Sequence, residues 1–310
     1  MKKVTAFAPA TVANVSCGFD ILGFAIDDLG DKVTVEWKEE VGLTVARIEG
    51  DGGKLPLEAE KNTCTVAIQA MLDALGTPKG MEISLEKGLP LGSGMGSSAA
   101  SAAAALVAAN ELLGKPFEKS DLVPFAMEAE RMACGAAHAD NVAPSILGGF
   151  VLIRGYDPLD VVKLPVPKGL YCTLVHPHLE LKTADSRSVL RQQISLKEAT
   201  VQSGNIAGLI AGLYQSDYGL ISRSLKDVIA EPSRALLIPG FYELREAVMD
   251  LGALGSGISG SGPTIFILSQ GRNTAIQAGE TSKAVFEKMG LGVDIFVSEV
   301  NDKGAYVQTP

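Results

Sequence analysis

The sequence predicts an α+β protein of two domains, on three observations. Strand-like and helix-like patterns mix along the chain without a regular βαβ beat, which argues against a doubly wound parallel sheet. The 310 residues are about twice a domain of ~150. A proline-rich break, LPVPKG at 164–169, separates two sets of elements, so the expected domains are 1–165 and 166–310.

Residues 32–38, KVTVEWK, alternate strictly, with Val33, Val35 and Trp37 on one face and charged or hydroxyl residues on the other. That pattern is a half-buried antiparallel strand, and LTVARI at 43–48 resembles its partner. Val66, Ala67, Met71, Leu72 and Leu75 recur at helical spacing over 61–75, and MEISLEK at 81–87 alternates as a strand. A helix pattern runs from Ser97 to Leu113, another over 119–134, and GFVLIRG at 149–155 is strand-like. In the second domain, strands are expected at 170–177, 263–268 and 293–298, with helices at 184–193, 195–215, 240–251 and 273–289.

The balance of 27 basic against 36 acidic residues, a net charge of −9, argues against a general nucleic-acid surface, which needs clustered Lys and Arg. Four scattered cysteines without a CxxC pair indicate neither a disulfide framework nor a zinc knuckle, and three histidines leave little for a metal site. The start, MKKVTAFAPATVANVSCGFD, lacks the apolar core of a signal peptide, and the Ala-rich run at 99–109 is too short to span a bilayer. A soluble cytoplasmic protein, with neither nucleic acid nor membrane as partner, is expected.

Glycine is the outlier, 34 against roughly 22 at ordinary usage. PLGSGMGSSAAS, Pro90 to Ser101, leads into the Ala-rich helix. Glycines let backbone N–H groups converge on an anion, and a helix start adds unpaired N–H groups, so the segment suits a phosphate, with Ser97 or Ser98 available as N-cap. It is not a Walker A loop, for no lysine lies between Gly92 and Leu113. Nor does the dinucleotide pattern fit, because Glu111 lies inside the helix rather than at the end of a second strand. A second cluster, Gly255 to Thr264, is on its own a flexible hairpin turn, but two such loops in one chain suggest a meeting around one ligand. Glu130, with a hydroxyl such as Ser98, is the kind of oxygen set Mg²⁺ requires beside a phosphate loop, although a helix Glu is commonly a solvated one. His138-Ala-Asp140-Asn141 reads as a substrate-facing loop before a strand, or as side-chain capping of that turn. Arg187 and Arg234 suit an anionic group, although most arginines are surface residues.

PLGSGMGSSAAS and GSGISGSGPT resemble the ATP loop and the C-terminal glycine motif of the GHMP kinases. APATVANVSCGFDILGFA (8–25), HADNVAPSILGGF (138–150), KTADSR (182–187) and EPSRALLIPG (231–240) resemble the homoserine kinase branch of that superfamily, in family order and spacing. The resemblance implies an N-terminal nucleotide-binding domain, a ferredoxin-like C-terminal domain, and ATP-dependent phosphorylation of the L-homoserine hydroxyl, a step toward threonine. It implies that Pro90, Leu91, Gly92, Ser93, Gly94, Met95, Gly96, Ser97 and Ser98, with Gly260 and Ser261, bind ATP, with Asn62 near the adenine. Ser98 and Glu130 would hold Mg²⁺. Asn14 and Asp20 would receive the substrate's ammonium, and Arg187 and Arg234 its carboxylate, with His138 and Thr183 nearby. Where many relatives carry a catalytic aspartate this chain has Asn141, an amide that can orient the attacking hydroxyl but not take its proton. Asp140 is the alternative base. Another GHMP small-molecule kinase would lack the paired arginines and the ammonium site, and a non-catalytic sensor would have lost Glu130 or part of the loop. Similar enzymes are commonly homodimers, and Cys17, inside the first motif, is a candidate for lining the site.

Overall fold

A computed structural model describes residues 2–308. The chain opens with a long antiparallel pair, β1 (Lys3–Ala13) and β2 (Leu22–Trp37), interrupted by a register shift between Pro9 and Thr11. A proline has no N–H for the ladder, which is why the irregularity falls there. These strands were largely missed in the sequence because 3–13 and 22–31 are apolar or Pro-interrupted rather than alternating. β3 (Gly42–Glu49) follows, then α1 (Thr63–Leu75) and β4 (Gly80–Glu86). The expected pairing of 43–48 with 32–38 is corrected: β4 lies between them, antiparallel to β2 and parallel to β3. The α1 crossover places β3 and β4 side by side in the same direction, which strand patterns alone do not reveal.

α2 (Ser97–Leu112) is buried almost all round and packs on β1, β2, α1, α3 (Val123–Cys134) and α4 (Val142–Leu147). Its alanines allow such close approach on every side, so this is a central helix rather than an amphipathic one. α4 was unexpected, since 138–149 reads as a loop. β5 (Phe150–Tyr156) and β6 (Leu159–Leu164) form a hairpin joined to β2, and the seven-stranded sheet is completed by the C-terminal β11 (Tyr306–Val307) against β1.

The second sheet contains β7 (Leu170–Pro177), β8 (Gly255–Ile258), β9 (Ile265–Gln270) and β10 (Val293–Glu299), in the order β10-β7-β9-β8 with every pair antiparallel. Between β7 and β8 come α5 (Thr183–Ser188), α6 (Leu196–Gln215), α7 (Tyr218–Ser224), α8 (Glu231–Arg234) and α9 (Phe241–Asp250), and α10 (Arg272–Lys288) connects β9 to β10. Counted within this half, the strand order is 4-1-3-2 with helical connections after the first and third strands, the ferredoxin-like arrangement. The helix expected at 184–193 stops at Ser188, and α7 and α8 are too short to leave a periodic signal. No helix among the described residues is long and apolar enough to cross a membrane.

Candidate active site

A cavity of about 380 Å³ lies where the two halves meet. Its lining includes Gly92, Ser93, Gly94, Gly96, Ser97 and Ser98 from the first glycine loop and Gly260 and Ser261 from the second. The loops touch directly: Ser259 Oγ donates to the Gly94 carbonyl at 2.6 Å, and the Thr264 N–H to the Ser93 carbonyl at 3.3 Å. Gly94 has φ +79°, and a Cβ there would lie 2.5 Å from the Ser259 carbonyl oxygen. Gly96 has φ +67°, and its Cβ would meet Thr11 Oγ1 at 2.0 Å. Both positions therefore require glycine, for conformation and for space.

The N-cap of α2 is Gly96, with no side-chain cap, so neither Ser97 nor Ser98 serves as expected. They are the first two helical residues, and the N–H groups of that turn remain open to an anion. Ser97 Oγ is buried without a hydrogen-bond partner, an orphan that a bound group would satisfy. Ser98 Oγ donates to Glu130 Oε1 at 2.5 Å, and Glu130 is buried rather than solvated.

Two members of the expected loop set do not line the cavity. Met95 is buried in the core and contributes its carbonyl to the Thr11 N–H, while Pro90 accepts from Ser93 Oγ at 2.8 Å. Leu91 does line it. Asn62 also lines the cavity but is the N-cap of α1: its Oδ1 accepts from the Cys64 N–H and its Nδ2 donates to the Pro56 carbonyl, leaving one amide hydrogen uncommitted. Cys17 does not line it. It is buried, and its carbonyl accepts from Gln202.

The other end of the cavity gathers Asn14, Asp20, His138, Asp140, Asn141, Thr183, Arg187 and Arg234. Asn14 Oδ1 accepts the Asp20 N–H at 3.0 Å, and its Nδ2 donates to the Gly260 carbonyl at 2.7 Å. Asn14, Val15 and Ser16 all have positive φ, a left-handed turn that L-residues rarely make and that clusters at binding sites. Arg234 is buried, stacks over Phe19, and donates to the carbonyls of Ser186 and Gly260, both at 3.1 Å. Arg187 faces Asp20 and His138. Thr183 Oγ1 is 3.3 Å from Ser261 Oγ, so the second glycine loop reaches both ends of the cavity.

Asn141 is the N-cap of α4 but does not cap with its side chain; its Oδ1 accepts from Thr11 Oγ1 at 2.8 Å, which leaves the amide nitrogen to donate elsewhere. The capping reading of 138–141 is thereby excluded for Asn141. Asp140 is buried beside it, and its carboxyl is pushed up to about 7, first by desolvation, then by the negative charges of Asp20 and Glu130, with Arg187 opposing. Burial is also the main cause that lowers the His138 pKa.

Sequence reasoning missed Thr11, Tyr156 and the buried pair of Lys87 and Asp31. Tyr156 Oη receives the Ala139 N–H and donates to the Asp20 carbonyl, holding the two substrate-end segments together. Lys87 bonds Asp31, the Ser97 carbonyl and Ser101 Oγ, while Asp31 also accepts from the Gly88 and Leu89 N–H groups. The signal was present: Asp31 and Lys87 each fall on the apolar face of their alternating patterns, one step beyond the paired Lys32 and Glu86.

Comparison with known proteins agrees with the sequence resemblance. The models of the GHMP kinases N terminal domain and the GHMP kinases C terminal domain match residues 62–149 and 209–288. A homoserine kinase of Chlorobium phaeobacteroides strain BS1 is 54% identical over 99% of this chain and 100% of its own length. One from Chlorobaculum tepidum is 52% identical over 99% and 98%. The crystal structure of a homoserine kinase from Cytophaga hutchinsonii superposes with a TM-score of 0.97 at 53% identity, covering 99% of this chain and 98% of that one. With identity above half across both domains and the cavity between them, the chain belongs to the homoserine kinase family of the GHMP kinases.

Proposed function

We propose that the chain transfers the γ-phosphoryl group of ATP to the side-chain hydroxyl of L-homoserine, giving O-phospho-L-homoserine and ADP, in the cytoplasm, on the route to threonine. The observation that carries the reading is the cavity itself, which joins an uncapped, glycine-lined helix start to the Asp20 carboxylate and the guanidiniums of Arg187 and Arg234. Open N–H groups suit the phosphates, and opposite charges side by side suit an α-amino acid.

Each residue then has a task. Gly92 to Ser98 wrap the phosphates and Asn62 bounds the base. Glu130 and Ser98 fit Mg²⁺, since a carboxylate and a hydroxyl in contact supply the one or two protein oxygens the ion uses beside nucleotide and water. When bound, the ion neutralises phosphate charge. Asp20 and Asn14 take the ammonium, Arg187 and Arg234 the carboxylate, with His138 and Thr183 beside them. Asn141, held by Thr11, offers its amide N–H to the attacking hydroxyl and fixes its direction. In a loose phosphoryl-transfer transition state, positioning and charge neutralisation supply most of the acceleration, and the proton can pass late to the transferring group.

A second reading of the proton's path rests on Asp140. Its carboxyl sits near neutrality, the range a general base requires. Under the positioning reading Asp140→Asn lowers turnover by less than about tenfold, whereas loss of a base costs about 10²–10⁴. A coupled ADP-release assay with homoserine, its des-amino analogue, mevalonate and no acceptor tests the activity. Release that ignores homoserine would overturn the assignment.

A further inference from the structure

Resting on that reading of the cavity, one detail of its charged end goes beyond it. The residues assigned to opposite charges of the substrate are bonded to each other. Arg187 Nη2 lies 3.2 Å from Asp20 Oδ1 and Nη1 lies 3.4 Å from Oδ2, a fork-to-fork pair with side chains 38% and 26% exposed. His138 Nε2 is 2.8 Å from Arg187 Nη2. A guanidinium only donates, so this ring nitrogen accepts and the proton sits on Nδ1, 3.9 Å from Asp20 Oδ1. His138 thereby hydrogen-bonds Arg187 and only neighbours Asp20.

The anchors of the pair differ from those of Arg234, which is tied to two main-chain carbonyls and a phenyl face. Asp20 is held by its backbone, at φ +58°, through the Asn14 side chain and the Tyr156 hydroxyl. An entering amino acid finds the Asp20 carboxylate and the Arg187 guanidinium already engaged with each other, so its ammonium and carboxylate must compete with that pair. We propose that the Asp20–Arg187 pair is a specificity latch, opened only by a ligand that carries a cation and an anion together. A zwitterion returns a partner to each half of the broken pair. A ligand with one charge leaves the other half bare, so the pair rejects it more strongly than the loss of its own contact would.

The latch makes an inverted prediction: removing one binding residue improves the binding of a truncated ligand. Dissociation constants are measured by NMR titration on the full chain for L-homoserine, 3-aminopropan-1-ol (cation only) and 4-hydroxybutanoate (anion only). On the unmodified protein both truncated ligands bind more than about tenfold weaker than homoserine. On Arg187→Gln the amino alcohol binds about two- to fivefold tighter than on the unmodified protein, because Asp20 has lost the partner that competed for it. On Asp20→Asn the hydroxy acid gains by a similar factor, and both variants bind homoserine more weakly. The two arms are independent, and a thermal melt confirms that each variant is folded. If neither truncated ligand gains on its variant while the unmodified protein still phosphorylates homoserine, the latch is overturned and the functional reading stands. If homoserine is neither bound nor phosphorylated, both fall.

Discussion

The two ends of the cavity are made of different material. At the phosphate end the contacts come from main chain: the open first turn of α2 and two glycine loops in contact. At the amino-acid end they come from charged side chains, Asp20, Arg187 and Arg234, steadied by Asn14, His138 and Tyr156. Main-chain donors are fixed by the fold and indifferent to most side-chain changes, but at Gly94 and Gly96 there is no room for an added atom. Charged side chains tolerate changes of volume and fail when a charge is lost. The first end should therefore break by sterics and the second by electrostatics.

The largest effect is expected at the first end. Gly94→Ala drives a methyl against the Ser259 and Gly262 carbonyls, at 2.5 and 2.8 Å, in a conformation alanine resists. We expect kcat/KM for ATP to fall by more than about a hundredfold, the scale of losing an anion-binding donor, with the melt showing a folded protein. Wild-type nucleotide kinetics in this variant would show that the contact between the loops is dispensable. Next comes Arg187→Gln, which keeps most of the volume and removes the charge. Its KM for homoserine should rise about ten- to a hundredfold while KM for ATP stays unchanged, a split that a general loss of structure would not give.

An effect on stability rather than on kinetics belongs to Asp140, at the amino-acid end. Because the Asp140 carboxyl is raised to about 7 in the folded protein, the native state holds a proton that the unfolded chain releases at ordinary carboxylate pH. Stability should then fall as pH rises from about 4 to about 7 and flatten above, a loss of up to about 4 kcal/mol from this group. Asp140→Asn removes that slope, so its melting temperature should exceed that of the unmodified protein at about pH 8 and converge with it near pH 4. Parallel curves would refute the raised pKa. The least effect belongs to Cys17→Ala: Cys17 lies outside the cavity lining, so both KM values should be unchanged, with only a modest loss of melting temperature.

The same contrast decided what could be read from the sequence. The α2 pattern, the glycine segment before it and the alternating β4 were legible because each is local and strongly patterned. The pairing of β3 with β4 was not, for it depends on where a crossover helix lands, and α7 and α8 are shorter than the roughly 11-residue window over which a helical period can be read. Most of the candidate site residues do line one cavity, yet the parts each one leaves available were hidden. Asn62 is mostly engaged as a cap, Met95 turns inward, and the cap of α2 is a bare glycine. Asp31 and Lys87 were passed over because a single charge at the end of an alternating run is ordinarily solvated, although β2 itself continues through Asp31. Only their opposed positions on two apolar faces distinguish them, and that opposition needs the strand register.

The pairing of β11 with β1 has a consequence for how the molecule is made. Ala6 and Phe7 find their partners in Val307 and Tyr306, and the Gln308 N–H bonds the Thr5 carbonyl. On a ribosome, the first strand emerges long before the strand that covers its outer edge. Until then that edge is an open hydrogen-bonding ladder, the feature that recruits a neighbouring nascent chain. The short final strand thus covers this edge at Ala6 and Phe7 only after the second half of the chain has been synthesised.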